Sequence, residues 1–186
     1  MVDKLSLEDR LIVLADDPKG LIAQLGETDQ AYLNQSTPEL ALIRAEIRQR
    51  LASYSMQKAE QLYLLNEAAA ILELMRLEVD EQTLFERLSA QLGSVYIQHY
   101  HVTHEQKYLI VARQILRPLS HLAHPAVLLG LVRADAAQGQ WALVQHWLKR
   151  MQQHHLLDVE LLEQTPELVG AVHFEWFIRL KAQFLN

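Results

Sequence analysis

Residues 92–118 read LGSVYIQHYHVTHEQKYLIVARQILRP. Leu92, Val95 and Tyr96 fall three and four residues apart, the spacing that puts side chains on one face of an α-helix. Together with Leu84 and Leu88 they extend an apolar stripe over residues 80–100, with Asp80 as a candidate cap at its start. The pattern restarts at Leu109, Ala112, Ile115 and Leu116 and stops at Pro118, whose ring cannot continue a helix. Between the two stripes lies His99-Tyr-His-Val-Thr-His104, with Thr103 and Gln106 in the spacing of a capping box. The stretch therefore reads as two antiparallel helices, with HYHV as the turn and His104 opening the second helix.

The same logic organises the rest of the chain. Leu40, Ile43, Ile47 and Leu51 stripe a helix over 38–53 whose start, Thr37-Pro38-Glu39, combines a hydroxyl cap with proline in the first turn. Leu62, Leu65, Ala69 and Leu72 stripe a helix over 55–78 that is apolar on more than one face and should be central. Pro125 opens a helix carrying Leu128, Leu131 and Val132. Gly139 stops it, and Trp141 begins a return helix with Val144, Leu148 and Met151. Short helices are expected at 5–15, 18–25 and 27–35, with Gly26 as a stop between the last two. Thr165-Pro166-Glu167 repeats the proline start, and Val169, Val172, Trp176, Leu180 and Phe184 predict one helix over 166–184. No run of β-branched residues alternates with polar ones, so strands are not expected. The fold class is all-α, one domain over 1–186. It comprises N-terminal helices over 1–79, helix pairs over 80–154 and a C-terminal capping or interface helix.

Composition agrees. The chain of 186 residues is 50% hydrophobic and 22% charged, with six glycines and five prolines, too few for a many-turned β protein. The absence of cysteine excludes a disulfide scaffold, Cys-ligated zinc and a thiol nucleophile. The opening MVDKLSLEDR is too charged for a signal-peptide core. Residues 62–75, the most apolar segment, contain Asn66, Glu67 and Glu73, so no membrane span is expected and the chain reads as cytoplasmic. The net charge of −6 argues against nucleic acid as a partner. It is unevenly spread: residues 1–90 carry nine Lys/Arg against sixteen Asp/Glu, residues 91–186 eight against seven, and all nine histidines lie between His99 and His173. Mild acid would make the C-terminal half strongly positive, which suits an acidic partner.

Leu92-Gly93, Tyr96, the turn, Leu109, Ala112 and Pro118 together resemble the tetratricopeptide repeat, in which helix pairs of about 34 residues stack. A second unit, over 125–154, resembles it through Leu128, Leu131, Gly139, Trp141, Val144 and Leu148. The sequence departs from the family pattern at Glu105, where a small residue is usual, and at Val132 and Asp135, where Gly and Tyr are usual. Aligning Gly93 with Val132 places an insertion around residues 119–124. The resemblance covers about residues 80–154 and implies a short α-solenoid; an irregular helical bundle is the alternative. It also implies a groove lined by the first helix of each pair. By helix face that groove would present Arg87, Ser94, Gln98, Leu129 and Arg133 to another protein. The family's Lys and Asn carboxylate clamp is not matched.

No catalytic motif stands out. The serines lack a nucleophile elbow, the glycines are isolated, and Asp16-Asp17 or Glu78, Asp80 and Glu81 sit where acidic residues favour helix starts. No cofactor is expected. The expectation is a non-catalytic interaction module, of the adaptor, assembly-factor, secretion-chaperone or immunity type, with Trp176 and Phe177 as a further contact strip. That strip, on 166–184, is also the candidate surface for a homo-oligomer. A metal-binding protein or metalloenzyme using His99, His101 and His104 is the alternative. His121 with His124, at a spacing of three, and the pair His154-His155 read as capping or solvated histidines.

Overall fold

Asp17 and Thr37 fix the first two helices. The Asp17 carboxylate accepts the Lys19 N–H at 3.0 Å and the Thr37 hydroxyl accepts that of Leu40 at 3.2 Å, each ahead of a proline in the first turn. The helices are α1 (Pro18–Asn34) and α2 (Pro38–Tyr54). The chain continues through α3 (Lys58–Glu78), α4 (Gln82–Thr103), α5 (Gln106–Leu116), a 3-10 segment (Arg117–Leu122), α6 (Pro125–Ala136), α7 (Trp141–Gln153) and α8 (Val159–Glu163). A second 3-10 segment (Pro166–Ala171) and α9 (Glu175–Ala182) follow. The computed structural model describes residues 17–157 and 159–183. The fold is all-α, with no strand among the described residues. The helix expected at 5–15, and Phe184 at the end of the C-terminal stripe, lie outside them.

Three expectations are corrected. Gly26 does not separate two helices. Leu21, Gln24 and Thr28 bury one continuous face of α1, and the Thr28 hydroxyl donates to the Gln24 carbonyl at 2.8 Å. An exposed glycine in a helix costs only about 0.5–1 kcal/mol, less than that packing is worth. Asp80 does not cap α4, whose N-cap is Glu81. The stretch 166–184 is not one helix. Pro166–Ala171 winds as a 3-10 segment against α6, and the Thr165 hydroxyl donates back to the Leu161 carbonyl at 2.7 Å instead of capping. At Gly170 the Trp141 indole comes so close that a Cβ would lie 2.6 Å from its ring. That contact holds the segment in place, and the chain turns before α9 begins at Glu175.

Each helix from α1 to α5 packs on the next, α6 packs on α5 and α7, and α4 also packs on α2 and α6. The helices α2, α4 and α6 thus lie side by side, with α3 against α2 and α4, and α5 against α4 and α6. One core joins α1–α4 around Leu21, Ile47, Leu65, Leu72 and Leu92. A second joins α6, α7 and the C-terminal segments around Leu128, Leu131, Leu148 and Phe177. The fully buried Leu116, at the end of α5, wedges between Gly93 of α4 and Gly130 of α6. Gly93 and Gly130 thus meet the same leucine from two different helices. No helix of the described residues is long and apolar enough to cross a membrane.

Candidate functional site: a groove across three helices

The histidine stretch resolves first. HYHV is not a turn: α4 runs to Thr103, and only His104 and Glu105 connect it to α5. His104 adopts the left-handed conformation (φ 60°) and donates its N–H to the Tyr100 carbonyl at 2.7 Å. The Thr103 hydroxyl donates to the His99 carbonyl at 2.8 Å and accepts the Glu105 N–H at 3.2 Å. Thr103 therefore closes the end of α4, and no capping box with Gln106 forms. His99 continues the stripe Leu92, Val95 and Tyr96 by one turn. It is buried, stacked on Tyr108 with ring centroids 4.7 Å apart. Burial lowers its pKa, against a backbone hydrogen bond to Leu65 that raises it. His101 points the other way, its Nε2 2.7 Å from Glu167 Oε1. The three rings diverge, so they do not form one ligand set. Among the described residues no three His, Asp or Glu side chains converge to hold a metal ion.

The side-by-side row α2, α4 and α6 leaves a groove of about 610 Å³ on its outer face. Leu42 and Ile43 of α2, Ala90 of α4 and Ala126, Leu129 and Gly130 of α6 supply apolar lining. Glu46, Arg50, Arg87, Gln91, His124 and Arg133 supply the polar and charged groups. Arg87, Ser94, Leu129 and Arg133 are thus brought together. Gln98 lies in an adjoining pocket shared with Ser94, Arg133, Gln49 and Ser53. Ties between α2 and α4 hold the groove's shape. Gln49 Nε2 donates to Ser94 Oγ at 3.2 Å, Gln98 Nε2 to Ser53 Oγ at 2.9 Å, and Gln91 Nε2 to the Leu42 carbonyl at 3.1 Å. Trp176 and Phe177 do not join the groove. Trp176 borders a separate pocket between α7 and α9, and Phe177 is buried in the second core. The exposed apolar side chains of that end are Val169, Val172, Phe174 and Ile178.

Sequence reasoning missed the whole α2 wall. Leu42, Glu46, Gln49 and Arg50 recur at helical spacing on a second face of α2, beside the expected stripe that supplies Ile43. That second face was the available signal. His124 was also missed as a wall residue; it is the N-cap of α6, and its Nδ1 is buried without a partner among the described residues.

Glu167 ties the groove to the C-terminal segment. Its side chain is 2% exposed, and Oε1 accepts both His101 Nε2 at 2.7 Å and Arg133 Nε at 3.0 Å. Burial alone would raise its pKa; the hydrogen bond from His101 and the charge of Arg133 outweigh this and hold it at about 2. A depressed carboxyl contributes stability above its unfolded value near 4.5, and loses it as pH falls through the folded value. Urea midpoints between about pH 6 and pH 3 should therefore fall, with about 2–3 kcal/mol of that loss absent in Glu167→Gln. The variant separates Glu167 from His99, whose lowered pKa also weakens the fold in acid. Parallel pH profiles of the two proteins would remove Glu167 from this role.

No family model matches the chain, and neither a curated protein nor a solved structure matches it.

Proposed function

We propose that this protein is a non-catalytic protein–protein interaction module, a short array of helix hairpins resembling the tetratricopeptide repeat. Its groove across α2, α4 and α6 binds a segment of another protein. The observation that carries this reading is the groove itself. Three neighbouring helices turn apolar side chains and arginines into one concavity. The resemblance supports it for α4 and α6, the first helices of the two pairs that carry it. An adaptor, assembly factor or chaperone would use a surface of this kind.

A random peptide library displayed against the full chain tests the reading. Peptides that enrich should lose at least about tenfold in affinity when Leu129→Lys places a charge on the apolar floor, with the thermal transition unchanged. Leu129 is only half-buried, so the lysine stem can reach solvent and folding should survive. Enriched peptides that bind Leu129→Lys as well as wild type would place the binding surface elsewhere. A library that yields no binder would contradict the proposal.

A further inference from the structure

Which ligand chemistry the groove accepts depends on which of its polar groups are already engaged. Of the three arginines along it, Arg50 pairs with Glu46 at 2.6 Å one helical turn away. Arg133 pairs with the buried Glu167 at 3.0 Å. The amides of Gln49 and Gln91 are committed to Ser94, Gln98 and Leu42. Arg87 is exposed and has no ion pair or hydrogen bond with any described residue. It stands on α4 one turn before Ala90, beside the apolar lining from α2 and α6. Among the described residues the groove thus offers one uncommitted arginine next to an apolar surface.

We propose, resting on the groove reading above, that the occupant is a protein segment presenting a single carboxylate side chain to Arg87. An aliphatic or aromatic residue beside it seats on Leu42, Ile43, Ala90 and Leu129. A guanidinium matches a carboxylate in a two-pronged hydrogen-bonded pair, which a lysine cannot reproduce. A phosphate, with a charge of about −1.5 to −2, is suited by a cluster of cations. Here the second and third arginines are neutralised within the chain. Glu167 already occupies Arg133 as an internal carboxylate, so a second acidic residue in the ligand gains no partner there.

The test uses the full chain and fluorescein-labelled peptides taken from the random library. Each is made with its acidic residue as Glu, Gln or phosphoserine, and with its apolar residue as such or as Ala. On the wild type, Glu→Gln should weaken binding about tenfold. Arg87→Gln should lose about the same factor on the Glu peptide and nothing further on the Gln peptide, and Arg87→Lys should recover only part. Arg50→Gln should leave the discrimination between Glu and Gln intact. A Glu peptide that binds Arg87→Gln as tightly as wild type overturns the assignment while leaving the groove reading standing. So does enrichment of peptides without Asp or Glu, or a phosphoserine peptide that binds more tightly through Arg87. Failure of every peptide to bind would remove both.

Discussion

Replacing Asp135 with alanine is expected to lower the free energy of unfolding by about 3–5 kcal/mol, the usual cost of removing one partner of a buried ion pair. Asp135 lies on α6 and is fully buried. Its Oδ1 accepts Arg113 Nη1 from α5 at 3.2 Å, and its Oδ2 accepts the Trp147 indole N–H from α7 at 2.8 Å. Arg117 Nη2 approaches to 4.0 Å. One carboxylate therefore joins three consecutive helices, and its loss strands a largely buried guanidinium and an indole donor. Trp147→Phe removes the indole donor and part of the ring volume, and should cost about 1.5–3 kcal/mol. Urea unfolding followed by circular dichroism reads both. An Asp135→Ala loss no larger than that of Trp147→Phe would mean that the carboxylate does not organise this junction.

The second large effect concerns how closely α4 and α6 approach. A Cβ at Gly93 would lie 2.7 Å from Leu116 Cδ1 and 2.8 Å from its Cγ, and one at Gly130 would lie 2.7 Å from the same Cδ1. Leu116 is fully buried, so a shift of its side chain has to displace packed neighbours. Gly93→Ala should therefore destabilise by about 1–3 kcal/mol, although alanine is the better helix former by about 0.5–1 kcal/mol. Leu116→Ala should cost about 2–5 kcal/mol through the cavity it leaves. The double variant should cost little more than Leu116→Ala alone, because the cavity receives the new methyl. A deviation from additivity of at least about 1 kcal/mol is the signature. Simple addition would show that Leu116 is not what excludes a side chain at position 93.

The helices were legible because their signals are local. Thr37-Pro38-Glu39 marks a cap with proline in the first turn, and the stripes of α2 to α7 have the period of an α-helix. What misled was punctuation whose meaning depends on distant partners. Gly26 has the look of a stop, yet α1 gains more from burying Leu21 and Thr28 than a glycine costs. The residues of 166–184 repeat at helical spacing, but Trp141 against Gly170 holds the first part in a 3-10 winding. His99 reads as a turn residue until Tyr108, nine positions on, is seen stacked upon it.

The groove was half legible. Arg87, Ser94, Leu129 and Arg133 follow from helix face once α4 and α6 are read as first helices of hairpins. The α2 wall did not follow, because no repeat pattern reaches into residues 1–79 and only packing shows α2 to be a neighbour of α4. The ion pairs that decide the groove's charge were invisible for the same reason. Arg133 and Glu167 are far apart in sequence, and an arginine already matched looks the same on paper as one that is free.

The central claim, that a protein segment binds across α2, α4 and α6, is tested most directly by amide chemical shifts of the full chain titrated with an enriched peptide. Shifts gathered on residues 42–50, 87–94 and 124–133, and reduced in Leu129→Lys, are the expected result. Shifts gathered instead on the exposed apolar end at Val169, Val172 and Ile178, with the groove silent, would contradict it.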